Sequence, residues 1–188
     1  MKYRIILASN SPRRKELLAG LDVDFEVRLV DGIDESYPDE LPTQEIAAYI
    51  SQKKAQAYLS TMAADELVIT ADTVVILGQQ VMGKPRSAAD ACHMLRLLSG
   101  YTHQVITGVT LTTKERATTF SVTTDVTFRE LSDEEISYYV DKYRPFDKAG
   151  AYGIQEWIGY VEVTALNGSY FNVMGLPVQR IYEALQTF

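Results

Sequence analysis

Three short stretches hold most of the side chains that can do chemistry. In Ser9-Asn10-Ser11-Pro12-Arg13-Arg14, two hydroxyls and two arginines sit where an apolar run gives way to a helix start. The free N–H groups and dipole of such a helix end favour an anion. Ser9, Ser11, Arg13 and Arg14 add donors of the kind that hold phosphate oxygens. The plainer alternative is an ordinary helix cap with solvated arginines, but paired serines and paired arginines together favour a phosphate site.

Asp72 lies in Thr70-Ala71-Asp72-Thr73, inside the apolar run Leu67 to Leu77. A carboxylate there has to be paired, metal-bound or turned to an opening, because burying a lone charge is expensive. That is the position wanted for a general base or a metal ligand. A strand aspartate turned to solvent is the blander reading, and the weaker one. The third stretch is the acidic loop Asp31 to Pro42, with Glu35 beside Asp34. Mg²⁺ and Mn²⁺ use one or two carboxylates plus substrate phosphates, so one loop carboxylate with Asp72 would suffice. Spacing alone singles out none of the loop's acids.

Basic residues that could neutralise phosphates are Lys53, Lys54, Lys84 in Gly83-Lys84-Pro85, and Lys148 in Asp147-Lys148. Adjacent helical lysines diverge, so at most one of Lys53 and Lys54 should reach a site. Each taken alone is more often a surface charge. No Gly-x-x-x-x-Gly-Lys-Ser/Thr loop and no Gly-x-Gly-x-x-Gly fingerprint is present. With only His93, His103 and Cys92 available, a His/Cys zinc site is not expected.

The elements that must position these groups are readable in outline. Tyr3 to Ala8 predicts a buried strand and Pro12 onward a helix capped by Ser11 and stopped at Gly20. Phe25 to Val30 predicts a second strand, and Thr43 to Met62 a long amphipathic helix. Leu67 to Leu77 and Val81-Met82 form a hairpin about Gly78-Gln79-Gln80. Ser87 caps a helix to Leu98, and His103 to Thr113 pairs with Ala117 to Phe128 as a long antiparallel hairpin. Ser132 opens a capping box for a helix to about Tyr143. Pro145 to Gly153 reads as a loop, Val161 to Leu166 as a strand, Asn167-Gly168 as a turn and Pro177 to Leu185 as a closing helix. The fold class is α/β with a mixed sheet.

At 188 residues, 46% hydrophobic and 23% charged, the chain suits one domain spanning 1–188, or two closely fused lobes. Its net charge of −7 argues against nucleic acid as a partner. A single cysteine argues for a reducing compartment. The run Ile5 to Ala8 is too short for a signal-peptide core and no apolar run approaches a membrane span, so a cytoplasmic protein is expected.

Ala8-Ser9-Asn10-Ser11-Pro12-Arg13-Arg14, Ala71-Asp72-Thr73, Gly83-Lys84-Pro85 and Asn172-Val173-Met174-Gly175-Leu176-Pro177 together resemble the Maf family of nucleotide pyrophosphatases, in the family's order, from about Arg4 to the C-terminus. Asp147-Lys148-Ala149-Gly150-Ala151-Tyr152-Gly153-Ile154-Gln155 resembles the branch acting on dTTP and UTP. The resemblance implies a fold similar to inosine triphosphate pyrophosphatases: a long mixed sheet, two α/β lobes and a central cleft. It implies Asp72 as proton acceptor, and Arg13, Thr73 and Gln155 as the positions of substrate choice. Ser9, Glu35, Lys54, Lys84, Asp147 and Lys148 match polar cleft positions, and a homodimer is common in the family; the carboxylates and phosphate oxygens on offer make Mg²⁺ or Mn²⁺ the expected cofactor.

The expected activity is hydrolysis of dTTP, UTP and modified pyrimidine triphosphates to monophosphate and pyrophosphate, a house-cleaning role. Two alternatives stand beside it: a nucleotide-binding regulator of septum formation without turnover, and an inosine or xanthosine triphosphatase suggested by fold analogy alone.

Overall fold

The structure, a computed structural model, describes residues 3–188. Along the chain run β1 (Arg4–Leu7), α1 (Pro12–Ala19), β2 (Phe25–Val27), α2 (Ile46–Tyr58), β3 (Glu66–Leu77), β4 (Gln80–Met82), α3 (Ala88–Leu98), β5 (Thr102–Thr112), β6 (Ala117–Phe128), α4 (Asp133–Tyr143), α5 (Trp157–Val161), β7 (Val163–Asn167), α6 (Tyr170–Met174) and α7 (Val178–Leu185). Short 3₁₀ turns occupy Thr43–Glu45 and Ala149–Ala151. The sheet order is β2-β1-β3-β5-β6-β7, with β4 paired to β3. β1 is parallel to β2 and β3, whereas β3–β4 and β6–β7 are antiparallel, so the sheet is mixed as expected.

The chain forms two compact units. One comprises the stretch ending at Asp72 with Thr107–Val122 and Gly175–Phe188; the other comprises Thr73–Ile106 and Thr123–Met174. In the first, Ile5, Ile6 and Leu7 of β1 and Leu67, Val68 and Ile69 of β3 are all buried. Unbroken apolar runs of this kind are what parallel strands covered on both faces require. Leu17 and Leu18 of α1 and Ile46, Ala47, Ile50 and Tyr58 of α2 complete that core. Gly108 of β5 lets α2 lie against the strand backbone: a Cβ there would fall 2.2 Å from the Ala48 nitrogen.

The second unit packs α3 and α4 on Val75, Met82, Val105, Val126 and Phe128, with Ile154 and Ile158 filling the same core. Ser87 and Ser132 cap α3 and α4 as their spacing predicts, and Glu135 completes the capping box by accepting from the Ser132 N–H at 2.9 Å.

Three expectations are corrected. β2 stops at Val27, not Val30, because the Arg28 carbonyl accepts the Tyr58 hydroxyl (2.8 Å) and its guanidinium turns to Glu66. The long helix starts at Ile46 after a 3₁₀ entry, with no side-chain cap on its first turn, and ends at Tyr58. The strand expected from Val161 starts at Val163, because α5 occupies Trp157–Val161. α5 fits because Gly159 has no Cβ; one there would lie 1.7 Å from the Ile154 carbonyl oxygen. α6 was missed too, although Ser169, which accepts the Asn172 N–H at 3.2 Å, offered a cap signal three residues ahead.

Candidate active site

In the first unit, β1 runs straight into the Ser9-Asn10-Ser11 turn. Ser9 is buried and its Oγ accepts the Ser11 N–H at 3.3 Å. Ser11 caps α1 by accepting the Arg14 N–H at 3.5 Å, with Pro12 in the first turn. This preserves the helix N-terminus expected for anion binding, and Arg13 stands in its first turn. Arg14 does something the sequence did not suggest. Its Nε donates to the Gly175 carbonyl (2.8 Å) and its Nη1 to the Ala71 carbonyl (2.9 Å). Two of its donors therefore brace backbone rather than remaining for phosphate. Burial lowers the Arg14 pKa and the nearby Asp72 charge works against that, but a guanidinium stays protonated.

Asp72 ends the first unit's share of β3. Its Oδ1 lies 2.8 Å from Lys54 Nζ, which also reaches Glu35 Oε1 at 3.1 Å. The Asp72 and Lys54 side chains are 16% and 13% exposed, so the pair is neither sealed in nor freely solvated; Glu35, at 55%, faces water. Behind it, α2 is laced to the sheet. The Thr70 hydroxyl donates to the Ser51 carbonyl at 2.7 Å, and Ser51 Oγ shares a hydrogen bond with Thr110 Oγ1 at 2.8 Å. These buried hydroxyls fix where α2 presents Lys54, and sequence reasoning missed them: a serine inside a helix was the only signal.

Lys53 diverges from Lys54, as adjacent helical residues must, but it is not idle. Its Nζ donates to Asp34 Oδ2 and to the Ser36 carbonyl, both at 2.8 Å. Consecutive lysines of α2 thus grip the consecutive acids Asp34 and Glu35. Lys53 and Ser36 hold the Asp34 carboxyl well below the usual carboxylate range.

Among the described residues no three His, Cys, Asp or Glu side chains gather as a metal-holding group. Asp72 and Glu35 nevertheless converge on one cationic point, here the Lys54 ammonium. Two carboxylate oxygens of this kind suit Mg²⁺ or Mn²⁺ if phosphate oxygens supply the remaining ligands.

The second unit holds Thr73, Lys84, Asp147, Lys148 and Gln155. Lys84 is exposed beside Gly83, whose carbonyl accepts the Gly150 N–H at 3.1 Å. Lys148 is buried yet doubly paired, with Asp147 Oδ1 at 2.8 Å and Glu156 Oε1 at 3.1 Å. The other Glu156 oxygen accepts the Tyr139 hydroxyl, which itself accepts the Gly153 N–H at 3.0 Å. Neither Tyr139 nor Glu156 stood out in the sequence. Gln155 Oε1 is a buried acceptor without a hydrogen-bond partner among the described residues.

His103 is structural, as expected. It packs edge-on against Phe128 and Tyr152, with Nε2 2.7 Å from the Tyr152 hydroxyl. Burial pushes its pKa down to about 4.

The profile of the Maf family, described as "Maf-like protein", matches residues 4–188. The chain is 60% identical to a dTTP/UTP pyrophosphatase of Parabacteroides distasonis, over 100% of this chain and 97% of that protein. It is 62% identical to a dTTP/UTP pyrophosphatase of Phocaeicola vulgatus, over 98% of this chain and 96% of that one. Among solved structures, a nucleoside-triphosphatase / dITP/XTP pyrophosphatase from Mycobacterium abscessus aligns over 97% of this chain and 94% of its own, with a TM-score of 0.41 and 13% identity.

Proposed function

Since the chain belongs to the Maf family, we propose that it is a nucleotide pyrophosphatase that hydrolyses dTTP and UTP to the monophosphate and pyrophosphate. The name shared by relatives at 60% and 62% identity supports the substrate class. The single observation that carries the chemistry is the Lys54–Asp72–Glu35 cluster, in which a carboxylate at the end of a buried run meets a lysine and a second carboxylate.

In this reading Asp72 takes the proton from the water that attacks the α-phosphorus. The bond between that phosphorus and the bridging oxygen breaks, and pyrophosphate leaves with the bonding pair. Asp72 and Glu35 offer carboxylate oxygens to Mg²⁺ or Mn²⁺. When bound, the cation neutralises charge on the phosphate oxygens. Lys54 then exchanges a carboxylate partner for a phosphate oxygen, and the α1 N-terminus with Ser9, Ser11 and Arg13 accepts anionic oxygen. Lys84, Asp147 and Lys148 are further polar positions for the triphosphate and its cation.

Base choice falls to Gln155, with Arg13 and Thr73. The buried Gln155 carbonyl can accept the N3–H that thymine and uracil share and cytosine lacks. No helix among the described residues is long and apolar enough to cross a membrane, consistent with work on a cytoplasmic nucleotide pool. A septum regulator without turnover is not favoured, since the relatives carry the name of an enzyme.

The test is a nucleotide panel with Mg²⁺ and with Mn²⁺, the products separated. dTMP or UMP with pyrophosphate is expected. Release of orthophosphate with a diphosphate, or a purine triphosphate as best substrate, overturns the assignment.

A further inference from the structure

We infer that Tyr139 and Glu156 are positioning residues for base selection, holding through Gly153 and Lys148 the loop that presents the Gln155 amide. The inference rests on the reading that the chain selects dTTP and UTP and that Gln155 meets the base edge.

The segment from Asp147 to Glu156 is held by side chains at both ends and near its middle. Lys148 at one end and Glu156 at the other are joined at 3.1 Å. In between, the Gly153 N–H is held at 3.0 Å by the Tyr139 hydroxyl. That hydroxyl donates to Glu156, so one phenol serves the middle and the end of the loop at once. Tyr139 is a firm anchor: it is fully buried on α4 and stacks on Tyr143 with ring centroids 5.1 Å apart.

Gly153 sits where these side chains crowd together. A Cβ there would meet Lys148 Cε at 3.0 Å, Glu156 Cδ at 3.1 Å and Gln155 Oε1 at 3.2 Å. The three side chains converge on one backbone carbon, and the Gln155 oxygen among them is buried with no hydrogen-bond partner among the described residues. An acceptor left desolvated is costly in the free protein, which suits a group kept for a ligand donor. Its two chain-wise supports are the pairs just described. Glu156 is therefore withdrawn from capping α5, where no side-chain cap exists, and committed to the loop.

The experiment uses the full chain with Mg²⁺ and measures kcat and KM for dTTP, UTP and CTP in wild type, Tyr139→Phe and Glu156→Gln. Each variant is expected to reduce the dTTP-to-CTP ratio of kcat/KM by about tenfold, through a raised KM for dTTP with kcat held within about threefold. A merely structural role predicts instead a lowered melting temperature with the ratio unchanged, or an equal fall for all three nucleotides; either outcome overturns the inference. If Tyr139→Phe does not fold, Glu156→Gln decides alone, because its amide oxygen can still accept the Tyr139 hydroxyl while losing its charge toward Lys148. A wild type that does not prefer dTTP and UTP to CTP brings down the substrate reading itself, and this inference with it. A wild type that discriminates beside variants that discriminate equally brings down the inference alone.

Discussion

Lys54 Nζ lies 2.8 Å from Asp72 Oδ1, joining the middle of α2 to the end of a buried strand run. The contact explains how a carboxylate is tolerated there: it is paired, and the lysine is shared with the more exposed Glu35 at 3.1 Å. Asp72→Asn keeps the shape but cannot take a proton and is a poor metal ligand. The variant should fold and bind nucleotide while losing turnover by ~10²–10⁴-fold, the usual cost of removing a general base. Steady-state rates beside a binding titration check it, and wild-type kcat in the folded variant defeats the assignment.

Activity should require a divalent cation. Asp72 and Glu35 offer only carboxylate oxygens, which favours Mg²⁺ or Mn²⁺ over zinc. Exhaustive EDTA treatment should abolish dTTP hydrolysis, and added Mg²⁺ or Mn²⁺ should restore it. Full activity in the chelated enzyme contradicts the proposal.

Gln155→Ala should lower kcat/KM for dTTP and UTP by roughly ten- to hundredfold while leaving CTP nearly unchanged, because the lost acceptor is the one that meets the N3–H, which cytosine lacks. Equal losses on all nucleotides point instead to a role in supporting the loop.

Glu162 supplies a pH signature within the second unit. Burial raises its pKa from 4.5 to about 7, against the pull of Arg129 at 3.1 Å and with a push from Glu135. Between those two values the folded chain keeps a proton that the unfolded chain has released. Stability from this group is therefore full below about pH 4.5 and is lost as pH rises through 7. His103 works in the opposite sense: its pKa is depressed to about 4, so it costs stability as pH falls below 6.5. Comparing Glu162→Gln with wild type isolates the first effect. The variant's urea midpoint relative to wild type should rise between pH 5 and pH 8, and a constant difference across that range contradicts the prediction.

Gly108→Ala should damage fold and activity together. The added methyl would meet the backbone of Ala47 and Ala48 at 2.2 to 2.4 Å, so α2 has to move. Overpacking of this kind typically costs about 1–3 kcal/mol. The shift carries Lys54 with it. A lowered urea midpoint with reduced kcat is expected; an unchanged midpoint shows that the strand yields instead.

The local elements were legible because each obeys a short-range rule. The apolar run of β1, the serine caps of α1, α3 and α4, and the β-branched strands β5 and β6 are each written within a dozen residues. So was the prominence of Asp72, since a charge in an apolar strand demands an explanation wherever that strand goes. The motif resemblance, read from the same residues, gave the family, and the match over residues 4–188 agrees with it.

What the sequence could not supply was partnership across long separations. Nothing local says that Arg14 turns back onto the carbonyls of Ala71 and Gly175, 57 and 161 residues away, rather than outward. Nor does it say that Lys53 and Lys54 close on Asp34 and Glu35 as two adjacent pairs. Tyr139 and Glu156, as ordinary a helix tyrosine and loop glutamate as any in the chain, gain their importance only when folding sets the phenol between Gly153 and the carboxylate. Periodicity and capping are settled by neighbours within about one turn. Which donors meet which acceptors is settled by the packing of whole elements, and that was decided only in the tertiary structure.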